Sequence, residues 1–178
     1  MLGEICKNNV IISDMNLLAK KEALEIIRAL GEKKVNDKVV YYELECGIDY
    51  RFLTQETADA LYQSRFGNFV RKGWVRGMKI AWDWQLTEQL RIRNAIRMLE
   101  KAGYTTGQHG NIFCFMIVNW KITFEECVKK LDLLKVWGVK INDCCFDGGY
   151  KVAVPEHWTA EQIETFRRTC RRHNIIVM

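Results

Sequence analysis

Residues 112–118 read IFCFMIV, an unbroken apolar run. A run so short and so apolar suits a strand covered on both faces, as strands are in parallel sheets flanked by helices. The rest of the chain keeps step with it. Residues 9–13 (NVIIS), 39–46 (VVYYELEC), 78–82 (MKIAW), 139–145 (VKINDCC) and 174–178 (NIIVM) are further short apolar runs and predict strands. Longer stretches with helical spacing separate them. Ala23, Leu24, Ile27 and Leu30 mark a helix over 20–30 that Gly31 stops. Thr54 caps a helix to about residue 65, with Ala58, Leu61 and Tyr62 on its inner face. Residues 87–102 form a long helix whose apolar side is sampled by Leu90, Asn94, Ile96, Met98 and Leu99, and Gly103 ends it. Thr123 with Glu126, and Thr159 with Gln162, read as capping boxes for helices through Trp137 and to about Arg172. Gly138 stops the first of these, and Pro155 falls in a loop before the second.

About six strands therefore alternate with five helices. Alternation of this kind implies right-handed crossovers and a mostly parallel sheet. The fold class is α/β, and the length of 178 residues predicts a single domain over 1–178. A flavodoxin-like layered sheet and a partial barrel both satisfy the pattern. No Rossmann or Walker phosphate motif is present.

Composition excludes several classes. With 48% hydrophobic residues, 28% charged residues and one proline, the chain is a folding sequence, not a disordered one. The start carries no basic segment followed by an apolar run, and no stretch reaches the ~20 apolar residues of a membrane helix, so the expected location is the cytoplasm. The seven cysteines are odd in number and form no secreted framework. Cys46 and Cys114 read as small apolar packing residues. Cys144 and Cys145 alternate across a strand and cannot converge on a metal, so no metal site is expected. A net charge of +5 permits an anionic partner. Its densest stretch, Arg167, Arg168, Arg171, Arg172 and His173, suits the cationic end of a helix. Trp74, among Arg71, Lys72 and Arg76, is the best local match to a nucleic-acid surface, because aromatics beside cations stack bases. The plainer reading of the same residues, a tryptophan folded over the barrel bottom or a helix end, stands ahead of it.

In parallel α/β arrays the ligand lies at the C-terminal ends of the strands. Asp14, Asn16, Asp49, Arg51, Asp83 and Asn119 all fall just after predicted strands. They form a candidate ligand rim, or else a set of loop residues that cap the following helices.

Five segments in order carry a family resemblance: NVIISDMNLL at 9–18, CGIDYRFL at 46–53, MKIAWDW at 78–84, LEKAGY at 99–104 and CFMIVNWKITFEECVKKLDLLKVWGV at 114–139. Together they resemble the later strands of the radical S-adenosylmethionine (radical SAM) enzymes, over roughly residues 9–178. The resemblance implies a partial (β/α) TIM-like barrel with S-adenosylmethionine on its rim. Asp49 and Arg51 are then the leading contacts, since an arginine fork holds a carboxylate and an aspartate accepts ribose hydroxyls or an amine. Asp14, Asn16 and Asp83 are secondary contacts, with Asn119 on the same rim. The family also carries a [4Fe–4S] cluster on a Cys-x-x-x-Cys-x-x-Cys loop, a spacing that this sequence lacks. Val118-Asn119-Trp120-Lys121 departs from the family's Gly-hydrophobic-Asn at that place. The resemblance therefore implies a part that positions S-adenosylmethionine and is incomplete alone. Strand 9–13 would be an apolar edge open to a partner chain bearing the cluster, or to a second copy. The alternative is a non-catalytic nucleic-acid or protein-interaction module using the basic loop and the C-terminal helix.

Overall fold

The computed structural model describes residues 4–14, 16–145 and 157–177. In chain order the elements are β1 (Asn9–Ile12), α1 (Ala23–Glu32), β2 (Lys34–Val35), β3 (Lys38–Val39), β4 (Tyr41–Leu44), β5 (Ile48–Asp49), α2 (Gln55–Gln63), β6 (Phe66–Val70), β7 (Gly73–Arg76), β8 (Met78–Ala81), α3 (Gln89–Ala102), β9 (Ile112–Val118), α4 (Phe124–Val136), β10 (Lys140–Cys145) and α5 (Ala160–Val177). One sheet runs β1-β4-β6-β7 and another β5-β8-β9-β10, while β2 and β3 make a separate hairpin. Every pairing in the two larger sheets is parallel except β6 with β7.

β4 and β5 are separated only by residues 45–47, yet one lies in each large sheet. A tight turn joins them, with the Gly47 N–H donating to the Leu44 carbonyl at 3.2 Å; β1, β4 and β6 run parallel in the first sheet, and β5, β8, β9 and β10 in the second. The molecule is mixed α/β with parallel-rich sheets. Alternate strand residues, among them Tyr42, Ile48, Ile80, Cys114 and Ile141, are buried in one core with Ile27, Leu61, Ile96, Leu134 and Phe166 of the helices.

The helix caps follow the sequence closely. Thr54 accepts from the Thr57 N–H in a full capping box, and Thr159 and Gln162 cap each other reciprocally. Thr123 accepts from the Glu126 N–H, but the Glu126 carboxylate turns elsewhere.

Several expectations are corrected. The run 39–46 is not one strand. Asn36 and Asp37 both take positive φ, which makes a tight hairpin of β2 and β3 before β4 starts. A second hairpin, β6–β7, further interrupts the expected alternation and takes up the basic segment. There Trp74 is half-buried, 4.8 Å from the Tyr41 ring and bonded through Nε1 to the Tyr42 carbonyl, while Arg71 and Lys72 stand exposed at the turn. Gly31 does not stop α1; the helix continues to Glu32. A Cβ on Gly31 would stand 2.9 Å from that of Ser64, so the glycine allows α1 and the end of α2 to approach. On α3, Leu90 and Asn94 are exposed, and the buried stripe is Ile92, Ala95, Ile96 and Leu99. In β9, residues 112, 114, 116 and 118 are buried, but Phe113, Phe115 and Ile117 are half-buried, so only one face is fully covered.

Of the run 174–178, residues 174–177 are helical and not a strand. α5 continues to Val177 because Ile163, Phe166, Cys170, His173 and Val177 form one buried helical stripe. Asn174 accepts from the Ile141 N–H and donates to the Ile141 carbonyl, both at 2.8 Å. Its amide occupies the outer edge of β10 where another strand would otherwise pair. The loop at Pro155 lies outside the described residues. Among the described residues no helix is long and apolar enough to cross a membrane.

Candidate functional site

The paired ends of β5 and β8, with Ile48 opposite Ile80 and Asp49 opposite Ala81, open into a cleft of about 200 Å³. Asp49, Arg51, Asp83 and Trp84 line it together with Gly47. A shallower hollow of about 190 Å³ shares Tyr50, Arg51 and Trp84 and extends to Glu88 and Arg91.

Asp49 ends β5 and caps the short 3-10 turn Tyr50–Phe52. Its Oδ1 accepts from the Arg51 N–H at 3.0 Å and from Arg51 Nε at 2.9 Å, and its Oδ2 from Nη2 at 2.5 Å. The Asp-x-Arg segment therefore closes on itself. Burial pushes the Asp49 carboxyl up, but the hydrogen bonds and charge of Arg51 outweigh it and hold the group below its usual range. The same guanidinium lies 5.4 Å from the Trp84 ring centroid, and the Trp84 ring is 49% exposed. Tyr50 donates to Glu88 at 3.1 Å, and burial with that bond pushes its phenol up to about 12.

Asp83 follows the buried Trp82. Its Oδ1 accepts from the Ile117 N–H at 3.1 Å, which ties the end of β8 to β9. Loss of solvent pushes its carboxyl above the usual value; the Ile117 N–H and Lys130 oppose this, and the charge of Asp49 adds to it. One cleft thus holds two carboxyls shifted in opposite directions, Asp49 down and Asp83 up.

The stability consequence has a definite sign. A carboxyl raised in the folded state costs stability once the pH exceeds its folded value and costs nothing below the unfolded value of about 3.9. Asp83→Asn is therefore expected to be more stable than the wild type near pH 7, with the difference vanishing as the pH falls below that value. Chemical denaturation of both proteins across pH 3–7 checks this. An advantage that is constant with pH would contradict it.

The other rim candidates lie apart from this cleft. Asp14 Oδ1 accepts from the Asn16 N–H at 2.9 Å and Oδ2 pairs with Lys20 at 3.0 Å; both hold its carboxyl low. Asn16 occupies the N-cap position of the turn Leu17–Ala19 without a capping bond from its side chain, and its Oδ1 is buried with no partner among the described residues. Asn119 is fully buried at φ 58°, where its Oδ1 accepts from the N–H groups of His157 and Trp158 and ties β9 to the approach to α5.

Cys114, Cys127 and Cys170 are buried, and burial pushes all three thiols up, Cys127 to about 11. None is a thiolate at neutral pH. Among the described residues no three His, Cys, Asp or Glu side chains stand where they could hold a metal ion. His173 is not the expected helix-end cation. It is buried against the Val139 carbonyl at 2.7 Å, and burial pushes its pKa down.

Sequence reasoning missed Trp84, the exposed ring beside Asp83, and Lys130, which is fully buried. Lys130 had a signal: it shares the inner face of α4 with Cys127, Leu131 and Leu134.

Compared with family models, curated proteins and solved structures, the chain matches none of them.

Proposed function

We propose that the chain is the S-adenosylmethionine-positioning part of a radical S-adenosylmethionine barrel. The observation that carries this reading is the cleft where Asp49, Arg51 and Asp83 meet beside Trp84. The cleft lies at the C-terminal ends of the parallel neighbours β5 and β8, the end at which a parallel α/β array takes its ligand.

The donor set suits the ligand. Arg51 uses Nε and Nη2 on Asp49, which leaves Nη1 to donate to a carboxylate. Asp83 uses Oδ1 on Ile117, which leaves Oδ2 to accept from an ammonium or a hydroxyl. The exposed Trp84 face offers a surface to a sulfonium or to a planar ring. The adjoining hollow gives the site length. The cluster is a different matter. The described residues contain no ligand set for it, so in this reading it is carried by a partner chain. The outer edge of β1 is the place for that chain's strand to add, because Ile11 is 58% exposed there beside an apolar groove of about 290 Å³. The part played by this chain is binding and orientation.

Isothermal titration calorimetry of the full chain with S-adenosylmethionine tests the reading. Binding is expected, weakened about 10- to 100-fold in Arg51→Ala and in Asp83→Asn, the loss of one charge-assisted hydrogen bond. No binding by the wild type, or equal affinity in all three proteins, overturns it and leaves a cleft for some other small molecule.

A further inference from the structure

Three side chains of α5 hold it along the outer edge of β10, in the direction opposite to the strand. Arg167 Nε pairs with Asp143 Oδ2 at 3.2 Å. Asn174 bonds both the N–H and the carbonyl of Ile141. His173 Nε2 meets the Val139 carbonyl at 2.7 Å, just before the strand starts. The histidine contact differs in kind from the other two. A carbonyl only accepts, so Nε2 carries the hydrogen and Nδ1 of the neutral ring is bare. Nδ1 is buried with no hydrogen-bond partner among the described residues, and the residue as a whole is 3% exposed. A proton added at Nδ1 would put a cation and an unmatched donor into the core. From α4, Lys135 opposes that proton and Asp132 favours it; from the approach to β10 the Val139 carbonyl also favours it. Burial outweighs these and keeps the ring neutral.

We propose that His173 and Asn174 form a proton-sensitive latch: neutral His173 seats the end of α5 on the outer edge of β10, and protonation of His173 unseats that end and opens the edge at Ile141. The latch is independent of whatever ligand the cleft takes. Asn174 follows His173 directly, so a ring that moves out to water carries the Asn174 amide off Ile141. The pair of Arg167 with Asp143 holds α5 nearer its start, so the opening is local. An opened β10 presents the Ile141 N–H and carbonyl as an unpaired strand edge. The sign follows from the lowered value of His173 in the closed form. Such a group leaves the closed form at full strength above the free histidine value of about 6.5 and weakens it as the pH falls below that value.

Amide hydrogen exchange of the full chain, followed by NMR from about pH 7.5 to 5 and corrected for the intrinsic rate, tests the latch. Protection of the Ile141 N–H is expected to fall about tenfold per pH unit below about 6.5, as far as the His173 midpoint. The Cys114 N–H, inside the sheet between β8 and β10, should be the better protected of the two at every pH, because the edge opens without the sheet. His173→Gln keeps a donor for Val139 and does not titrate, so the steep fall at Ile141 should disappear. Asn174→Ala should lower Ile141 protection at least about tenfold already at pH 7.5. A fall that persists in folded His173→Gln overturns the proposal, as does unchanged protection in Asn174→Ala. Where neither variant folds, the wild type still decides. A His173 ring that titrates at or above about 6.5, an Ile141 N–H as protected as that of Cys114, or Ile141 protection that does not change with pH each overturns it.

Discussion

Trp82→Ala is expected to lower stability by roughly 3–5 kcal/mol, the range for deleting a large aromatic side chain from a packed core. The Trp82 ring is fully buried and stacks on Trp137 at a centroid distance of 5.9 Å and an interplanar angle of 16°. Its Nε1 donates to the Gln85 carbonyl at 3.3 Å, which turns the chain after β8 back over the ring. Its backbone N–H is held by Phe115 at 2.8 Å, so the main chain has little freedom to settle into the space that alanine would leave. The surroundings can collapse only partly, and that places the loss in the upper part of the range. The substitution also takes the aromatic face away from Lys130. In urea the midpoint should fall with the slope unchanged. A loss below about 1 kcal/mol would mean that the site relaxes freely and that the tryptophan is not a core anchor.

The elements that local chemistry decides were legible in the sequence. Thr54, Thr123 and Thr159 cap helices because a hydroxyl followed by a donor or acceptor three residues on is a local device. The apolar strands at 9–12, 78–81 and 112–118 were legible for the same reason. So was the meeting of Asp49, Arg51 and Asp83. Parallel neighbours put their C-terminal ends on one side, and these residues follow neighbouring strands.

Nonlocal packing decides the rest. The run NIIVM carries a strand's composition, yet the stripe from Ile163 to Val177 extends the helical period through it, and burial favours the longer pattern. Gly31 looks like a helix stop until Ser64 is placed beside it. Asn119 resembles a rim residue by position, but its positive φ and the N–H groups of His157 and Trp158 turn its amide into the core. The sequence also could not say that Arg51 would close on Asp49 two residues away, which holds that carboxyl low while Asp83 is pushed up.

Gly47→Ala is expected to cost roughly 2–5 kcal/mol, from two terms that act together. Gly47 stands between β4 and β5, where one stretch of chain leaves the first sheet and enters the second, and it takes φ +72° to make that passage. A non-glycine residue there costs about 1–2 kcal/mol. An added Cβ would also stand 2.9 Å from the Lys79 carbonyl oxygen and 3.2 Å from its carbon. Those are backbone atoms of β8 and cannot rotate aside, so overpacking adds about 1–3 kcal/mol. Gly107→Ala separates the terms: that glycine also has positive φ, +82°, but nothing lies within 4 Å of its Cβ position. It should lose only the backbone term. Moving β5 away from β8 is the one way to relieve the contact at Gly47, and that would part Ile48 from Ile80 and shift Asp49 from beside Asp83. The stability loss should therefore come with faster amide exchange in β5 and with loss of whatever ligand the cleft holds. Equal losses in Gly47→Ala and Gly107→Ala would show instead that β5 and β8 can part without cost, and that the cleft between them is not a rigid site.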